Sequence, residues 1–162
     1  MKGDAKVIEI LNEVLTAELT AVNQYFIHAK MCADWGYQEL AAYGKAESID
    51  EMKHAEQMID RILFLEGVPN MQRYFKLKVG KTVKEQFEND VALEYEAVKR
   101  LNKGVQICTE VGDNTSRQIL EKILAEEEHH IDWLETQLSL IEQIGLERYL
   151  TQKMGASEGH DH

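Results

Sequence analysis

Glu18 is followed by Glu51 and His54, and 76 residues later the same spacing returns as Glu94, Glu127 and His130. The internal intervals agree too: 33 residues separate the two glutamates in each set (51 − 18 and 127 − 94), and the histidine comes three residues later. Six side chains of metal-ligand type therefore occur as two copies of one half-site. A chain built this way has to bring its halves together about a pseudo-two-fold axis, the arrangement a dinuclear metal centre requires.

The segments carrying these residues read as helices. Pro69 is the only proline of 162 residues, and Ala, Leu, Glu, Lys and Gln dominate, a composition that favours an all-α protein. Glycines divide the pattern. A first helix is predicted from about Asp4 to Trp35, stopping at Gly36, and a second from about Tyr37 to Glu66, stopping at Gly67. After a connection over Gly67 to Lys81, Thr82-Val83-Lys84-Glu85 reads as a capping box opening a third helix that ends at Gly112. Thr115-Ser116-Arg117-Gln118 reads as the cap of a fourth, ending at Gly145, and a short fifth covers Leu146 to Met154. Residues 1–154 form one domain in this reading, with 155–162 a disordered tail. Gly44 and Gly104 fall inside helices, where each costs about 1 kcal/mol relative to Ala.

Short links after the first and third helices make two antiparallel hairpins, and the long middle link can cross the full bundle. The expected fold is a four-helix bundle with one long crossover, the ferritin-like topology, plus the short C-terminal helix.

Each glutamate of the doubled set interrupts an apolar stripe. In the first helix the row runs Val7, Leu11, Val14, Leu15, Glu18, Val22, Tyr25, Ala29, and in the third Phe87, Val91, Glu94, Val98, Leu101, Val105. Glu126-Glu127-Glu128-His129-His130 contains two Glu-x-x-His frames, and neighbours decide between them. Glu127 and His130 align with Leu120, Ile123, Leu124, Ile131, Leu134, Leu138 and Ile141, whereas Glu126 and His129 align with Lys122, Trp133 and Thr136, a mostly polar row. The inward pair is Glu127 and His130.

A buried carboxylate without a partner costs several kcal/mol, and no inward row supplies a Lys or Arg at that level. Glu and His three apart share a helix face, so each pair presents one oxygen and one imidazole donor. Such mixed ligation suits Fe(II) better than structural zinc, which takes four ligands closed tetrahedrally. By symmetry Glu18 and His54 terminate one metal, Glu94 and His130 the other, and Glu51 and Glu127 bridge. One Glu from each of two helices plus Glu-x-x-His from the other two is the ligand pattern of ferritin-like di-iron proteins.

The remaining chemistry is mostly exclusion. An excess of 29 acidic over 18 basic residues argues against nucleic acid and anionic membranes as partners. No stretch is apolar enough to span a bilayer, and the N-terminal segment is charged and amphipathic, so a cytoplasmic protein is expected. Cys32 and Cys108 fit no zinc or redox spacing. On antiparallel helices with level glutamates their sulfurs stand about 40 Å apart, so both are expected as free buried thiols.

Five segments carry a resemblance to a known family: Met1-Lys2-Gly3-Asp4, Asn23-Gln24-Tyr25-Phe26, the run from Glu47 to Ala55, Arg61 to Gly67, and His130-Ile131-Asp132-Trp133-Leu134-Glu135-Thr136. Over essentially its whole length the chain resembles the bacterioferritins. The resemblance implies a hollow homo-oligomeric shell of 24 subunits that stores ferric mineral and a ferroxidase oxidising Fe(II) with O2 or H2O2 at a di-iron centre. It implies haem b at the subunit two-fold with Met52 of each chain as axial ligand, and a [2Fe-2S] ferredoxin as reductant. Met52 lies off the inward row with Ile49 and Ile59, as do Leu19, Asn23 and Phe26 on the first helix, a pattern that points to a subunit interface.

The chain departs from some members at two places. Where they have a histidine that binds inner-surface iron together with Asp50, this chain has Ala46, although Glu47 and Asp50 remain. Where some have a tyrosine, it has Met58. Tyr25 and Trp133 are kept, and Tyr25 is a candidate for one-electron transfer; His28, His160 and His162 show no ligand spacing. A rubrerythrin-like peroxidase is the nearest rival, but it would carry a Cys-x-x-Cys module that this chain lacks. A non-catalytic helical scaffold would need its buried glutamates protonated or paired with bases.

Overall fold

Side-chain caps open three of the helices, at Asp4, Thr82 and Asp113, and left-handed residues close the first three. The computed structural model describes residues 1–155, and these contain five helices and no strand. They are α1 (Ala5–Trp35), α2 (Gln38–Phe64), α3 (Val83–Val111), α4 (Asn114–Ile144) and α5 (Leu146–Thr151). The expected all-α bundle stands, with α5 ending three residues earlier than Met154. The tail expected over 155–162 lies, beyond Gly155, outside the described residues.

α1 closes as predicted. Gly36 is left-handed at φ 94°, its N–H donates to Ala33 O (3.1 Å), and Tyr37 N–H donates to Cys32 O (2.9 Å). α3 closes the same way on Gly112 at φ 78°. α2 departs from the expectation, because its left-handed residue is Glu66 (φ 63°), not Gly67. Gly67 follows with its N–H on Ile62 O (2.9 Å). The glycine is needed there for space: a Cβ would stand 2.8 Å from Ile8 Cγ2 and 3.0 Å from Ile62 Cγ2.

The cap of α4 also differs from the expected Thr115. Asp113 holds the position, accepting from Ser116 N–H (3.0 Å) and Ser116 Oγ (2.6 Å), while Arg61 of α2 donates to it at 3.0 Å. The Ser116 and Arg61 contacts outweigh burial and hold the Asp113 carboxyl below its ordinary pKa. Its stabilisation is therefore present at neutral pH and is lost as pH falls through the depressed folded-state value. Asp113→Ala is expected to destabilise the protein by about 2 kcal/mol at pH 7. The deficit against wild type, followed by thermal unfolding, should shrink in acid.

The chain runs up α1, down α2, up through the crossover, down α3 and up α4. Gly3 N–H donates to Leu65 O (3.0 Å), placing the end of α2 beside the start of α1. Residues 65–82 then climb along α1, which satisfies their backbone with a row of its own side chains. Asn12 Oδ1 accepts from Asn70 N–H (2.8 Å), Thr20 Oγ1 from Phe75 N–H (2.9 Å), Gln24 Oε1 from Lys78 N–H (3.1 Å) and His28 Nε2 from Gly80 N–H (2.9 Å). Positions 12, 20, 24 and 28 share a helix face, so this stripe is the crossover's track. α5 plugs the far end, where Tyr149 is buried and donates to Gln137 Oε1 (2.5 Å).

Two apolar clusters fill the bundle above and below its middle. The lower includes Val7, Leu11, Met58, Ile62, Leu101, Cys108 and Leu120; the upper includes Cys32, Leu40, Phe87, Leu134 and Tyr149. Cys32 and Cys108 are thus free, buried and at opposite ends, with burial pushing both thiols up to about 11. Leu19 belongs to the lower core and is 7% exposed, so it is not part of the outer face expected for it. The helix-interior glycines permit close packing. A Cβ at Gly44 would meet Ala29 Cβ at 3.2 Å, and one at Gly104 would meet Leu120 Cδ1 at 2.8 Å.

Candidate metal centre

Between the two apolar clusters, all four helices turn acidic and imidazole side chains inward. Glu18, Glu51, Glu94 and Glu127 are at most 2% exposed, and His54 and His130 are 1% and 9% exposed. The six residues predicted from spacing are brought together in full. They form two groups within which ligand atoms lie within 4.8 Å of one another: Glu18, Glu51, His54, Glu127 and Glu51, Glu94, Glu127, His130.

The distances separate two kinds of carboxylate. His54 Nδ1 lies 3.5 Å from Glu18, 3.6 Å from Glu51 and 3.2 Å from Glu127. His130 Nδ1 lies 3.1 Å from Glu51, 3.7 Å from Glu94 and 3.6 Å from Glu127. Glu51 and Glu127 approach both rings; Glu18 approaches only the first and Glu94 only the second. Close as they are, these atoms do not make aligned hydrogen bonds with each other. Glu18 Oε2, both Glu51 oxygens, Glu94 Oε2, Glu127 Oε1 and both Nδ1 atoms are buried without a hydrogen-bond partner. Buried polar atoms are left unpaired only rarely, and here seven converge on one small volume. Their lone pairs face a shared centre, which fits cations.

The outer nitrogens of the rings are held by two further carboxylates. His54 Nε2 pairs with Glu126, and His130 Nε2 lies 2.5 Å from Glu47. A carboxylate on Nε2 keeps the proton there and leaves Nδ1 free as a donor atom. Sequence reasoning placed Glu126 on the polar row and missed this role. Its pseudo-symmetric counterpart is Asp50 (126 − 76), which lies in the same group as Glu47 and His130. Glu126→Ala is expected to leave assembly intact and weaken metal binding about 10–100-fold, read by anaerobic Fe(II) titration calorimetry.

Charge in this pocket is frustrated. Burial raises the pKa of all four carboxyls, and mutual repulsion raises it further. Burial would lower both imidazoles, yet the surrounding carboxylates outweigh it and raise His54 and His130 far above the ordinary histidine value. Every shift says that the pocket is short of positive charge. None of the ion pairs of these four glutamates among the described residues involves Lys or Arg.

Residues 8–144 match the ferritin-like domain family. Bacterioferritin BfrA of Mycobacterium tuberculosis is 55% identical over 152 residues, which cover 94% of this chain and 96% of that relative. The bacterioferritin of Streptomyces coelicolor is 55% identical over 151 residues (93% and 90% covered), and that of Brucella melitensis 50% over 149 (92% of each). The chain belongs to the bacterioferritin family.

The other residues singled out in the sequence of this bacterioferritin chain stand near or outside the cluster. Tyr25 is buried and its hydroxyl donates to Glu94 Oε1; burial, then Glu94, holds its phenol protonated well above the ordinary value. Trp133 stacks on Tyr43 with ring centroids 3.6 Å apart. Met58 is fully buried in the lower core. Met52 is 51% exposed on the outer face of α2, with Ile49 and Phe26 also exposed. His28, for which no ligand role was expected, caps the crossover track and faces Asp90 at 3.0 Å. No described helix is long and apolar enough to cross a membrane.

Proposed function

We propose that this chain stores iron in the cytoplasm and oxidises it on entry. Two Fe(II) ions are the substrate: Glu18 and His54 would hold one, Glu94 and His130 the other, and Glu51 and Glu127 would bridge them. The observation that carries this reading is the convergence of seven unpartnered donor atoms from all six residues. Four carboxylates match the four positive charges of two Fe(II) ions, so loading relieves the charge shortage and expels the protons held by the metal-free pocket. The electrons balance as 2 Fe(II) + O2 + 2 H⁺ → 2 Fe(III) + H2O2, or as 2 Fe(II) + H2O2 + 2 H⁺ → 2 Fe(III) + 2 H2O. Glu47 and Asp50, beside His130, would receive ferric iron leaving the pair for the interior of the 24-subunit shell. Tyr25, bonded to Glu94, is the aromatic side chain placed to give or take a single electron.

Met52 fits a thioether ligand to haem b. Its sulfur-bearing side chain is exposed among apolar neighbours on a face that a two-fold would pair with itself. The haem would supply an electron path to the stored mineral, with a [2Fe-2S] ferredoxin as donor. A visible spectrum of the purified protein, reconstituted with haem, tests this: a Soret band of low-spin haem is expected, and its absence removes the haem without touching the iron chemistry. For the iron itself, aerobic stopped-flow addition of Fe(II) should give a fast near-ultraviolet ferric absorbance that saturates at two ions per chain. A rate that never saturates would defeat the proposal.

A further inference from the structure

A small cavity lies in the bundle beside one half-site, and its pseudo-symmetric position beside the other is occupied by larger side chains. The cavity, of about 40 Å³, lies in the upper half, walled by Ala29, Leu40, Gly44, Phe87 and Leu134 and reaching Tyr25 and His130 at its inner end. Pseudo-symmetry predicts an equivalent space beside His54. The counterparts of Ala29 and Gly44 are Val105 and Leu120 (29 + 76 and 44 + 76), and these fill it: Leu120 is fully buried in the lower core and Val105 packs against that core. Two small residues thus stand next to one half-site where two larger ones stand next to the other.

Polar groups do border the cavity, and the protein engages most of them, but His28 Nδ1 and Glu47 Oε2 are buried without an aligned hydrogen bond. His28 Nε2 accepts from Gly80 N–H (2.9 Å) and its Nδ1 faces Asp90 Oδ1 (3.0 Å). Gln86 Nε2 donates to Gly80 O (3.2 Å), Asp90 accepts from Gln24 (2.8 Å), and Glu47 lies against His130 Nε2. Water entering this space finds mostly hydrocarbon and two unsatisfied polar atoms that already lie within 3.0 Å of Asp90 and His130, a lining that favours small apolar guests over water. A second space, the open groove between α2 and α4, is lined by Asp50, Lys53, Glu126 and His129 and also reaches His130. The stacked rings of Tyr43 and Trp133 line both spaces and stand between them.

We infer that the upper cavity is a docking site for dioxygen, which it delivers to the His130 side of the cluster. This rests on the ferroxidase reading. Dioxygen is small and apolar and partitions into such a space, whereas hydrogen peroxide, with two donors and several acceptor positions, loses its hydrogen bonds there and reaches the cluster by the polar groove. The two oxidants therefore arrive by different routes.

Leu134→Phe fills the cavity from α4, and Leu40→Phe does so from α2 if the first variant fails to assemble. Two readouts test the site: xenon density in crystals of the assembled protein, and Fe(II) oxidation driven separately by limiting O2 and by H2O2. Xenon is expected in the wild-type cavity and absent from the filled variant, whose apparent KM for O2 rises several-fold while the H2O2-driven rate stays at the wild-type value. Ordered water in place of xenon, an unchanged KM for O2, or an equal fall with both oxidants overturns the inference. Wild-type protein that oxidises Fe(II) with neither oxidant instead defeats the ferroxidase reading, whatever the xenon shows.

Discussion

His130→Ala abolishes the fast phase of Fe(II) oxidation while the protein still folds and assembles. The ring supplies the sole nitrogen donor of its half-site, and Glu51, Glu94 and Glu127 all turn oxygens toward its Nδ1 within 3.7 Å. Without it the second ion keeps only carboxylate oxygens, which also serve the first ion or stand among like charges. Losing a ring that offsets the buried carboxylates costs stability in the metal-free protein, but folding survives because the apolar clusters above and below are untouched. The control is one residue away: His129 is exposed on α4, and His129→Ala should oxidise at the wild-type rate. Stopped-flow absorbance on both variants reads the difference, and a normal initial rate for His130→Ala would show that the helix register was assigned wrongly.

The second large effect runs in opposite directions with and without metal. Glu51 is fully buried, with both oxygens unpartnered. Burial, then the charges of Glu18 and Glu94, raises its pKa well above that of an unfolded glutamate. A folded-state value above the unfolded one gives a contribution that is intact in acid and is lost as pH rises through the folded value. Metal-free wild-type protein should therefore lose stability as pH rises above the ordinary glutamate range. Glu51→Gln removes that charge, and its amide can donate to the neighbouring carboxylates, so the metal-free variant should be more stable by about 1–3 kcal/mol at pH 8. It should gain nothing from Fe(II), whereas wild-type protein gains about 2.7 kcal/mol at a metal concentration of 100 Kd. Thermal unfolding under nitrogen, with and without Fe(II), measures both. A variant that is less stable than wild type when metal-free would mean that the carboxylates belong to a structural network.

What sequence could and could not reveal follows from which interactions are periodic. Glu18 and Glu94 were legible because each interrupts an apolar row on its own helix, and the choice of Glu127 over Glu126 followed from the neighbours on each face. The cap of α4 was misplaced at Thr115 because Asp113 owes its position to Arg61, which is distant in sequence. The end of α2 was misplaced by two residues, Glu66 for Phe64, because Gly67 serves the close approach of Ile8, a contact no local pattern records. Glu126 escaped notice because its side chain is half exposed while its carboxylate reaches across to His54 on another helix. A signal for it was present in the second Glu-x-x-His frame, whose glutamate adjoins a ligand. The crossover track was legible too, had the polar residues Asn12, Thr20, Gln24 and His28 been read as a face of α1 in their own right.

Six buried side chains held ready for two cations are tested most directly by iron-edge anomalous diffraction from crystals soaked anaerobically with Fe(II). Two peaks are expected about 3.5–4 Å apart, one bonded to Glu18 and His54, the other to Glu94 and His130, with Glu51 and Glu127 touching both. Iron found only at the surface, with the interior carboxylates protonated and bonded to one another, would contradict it.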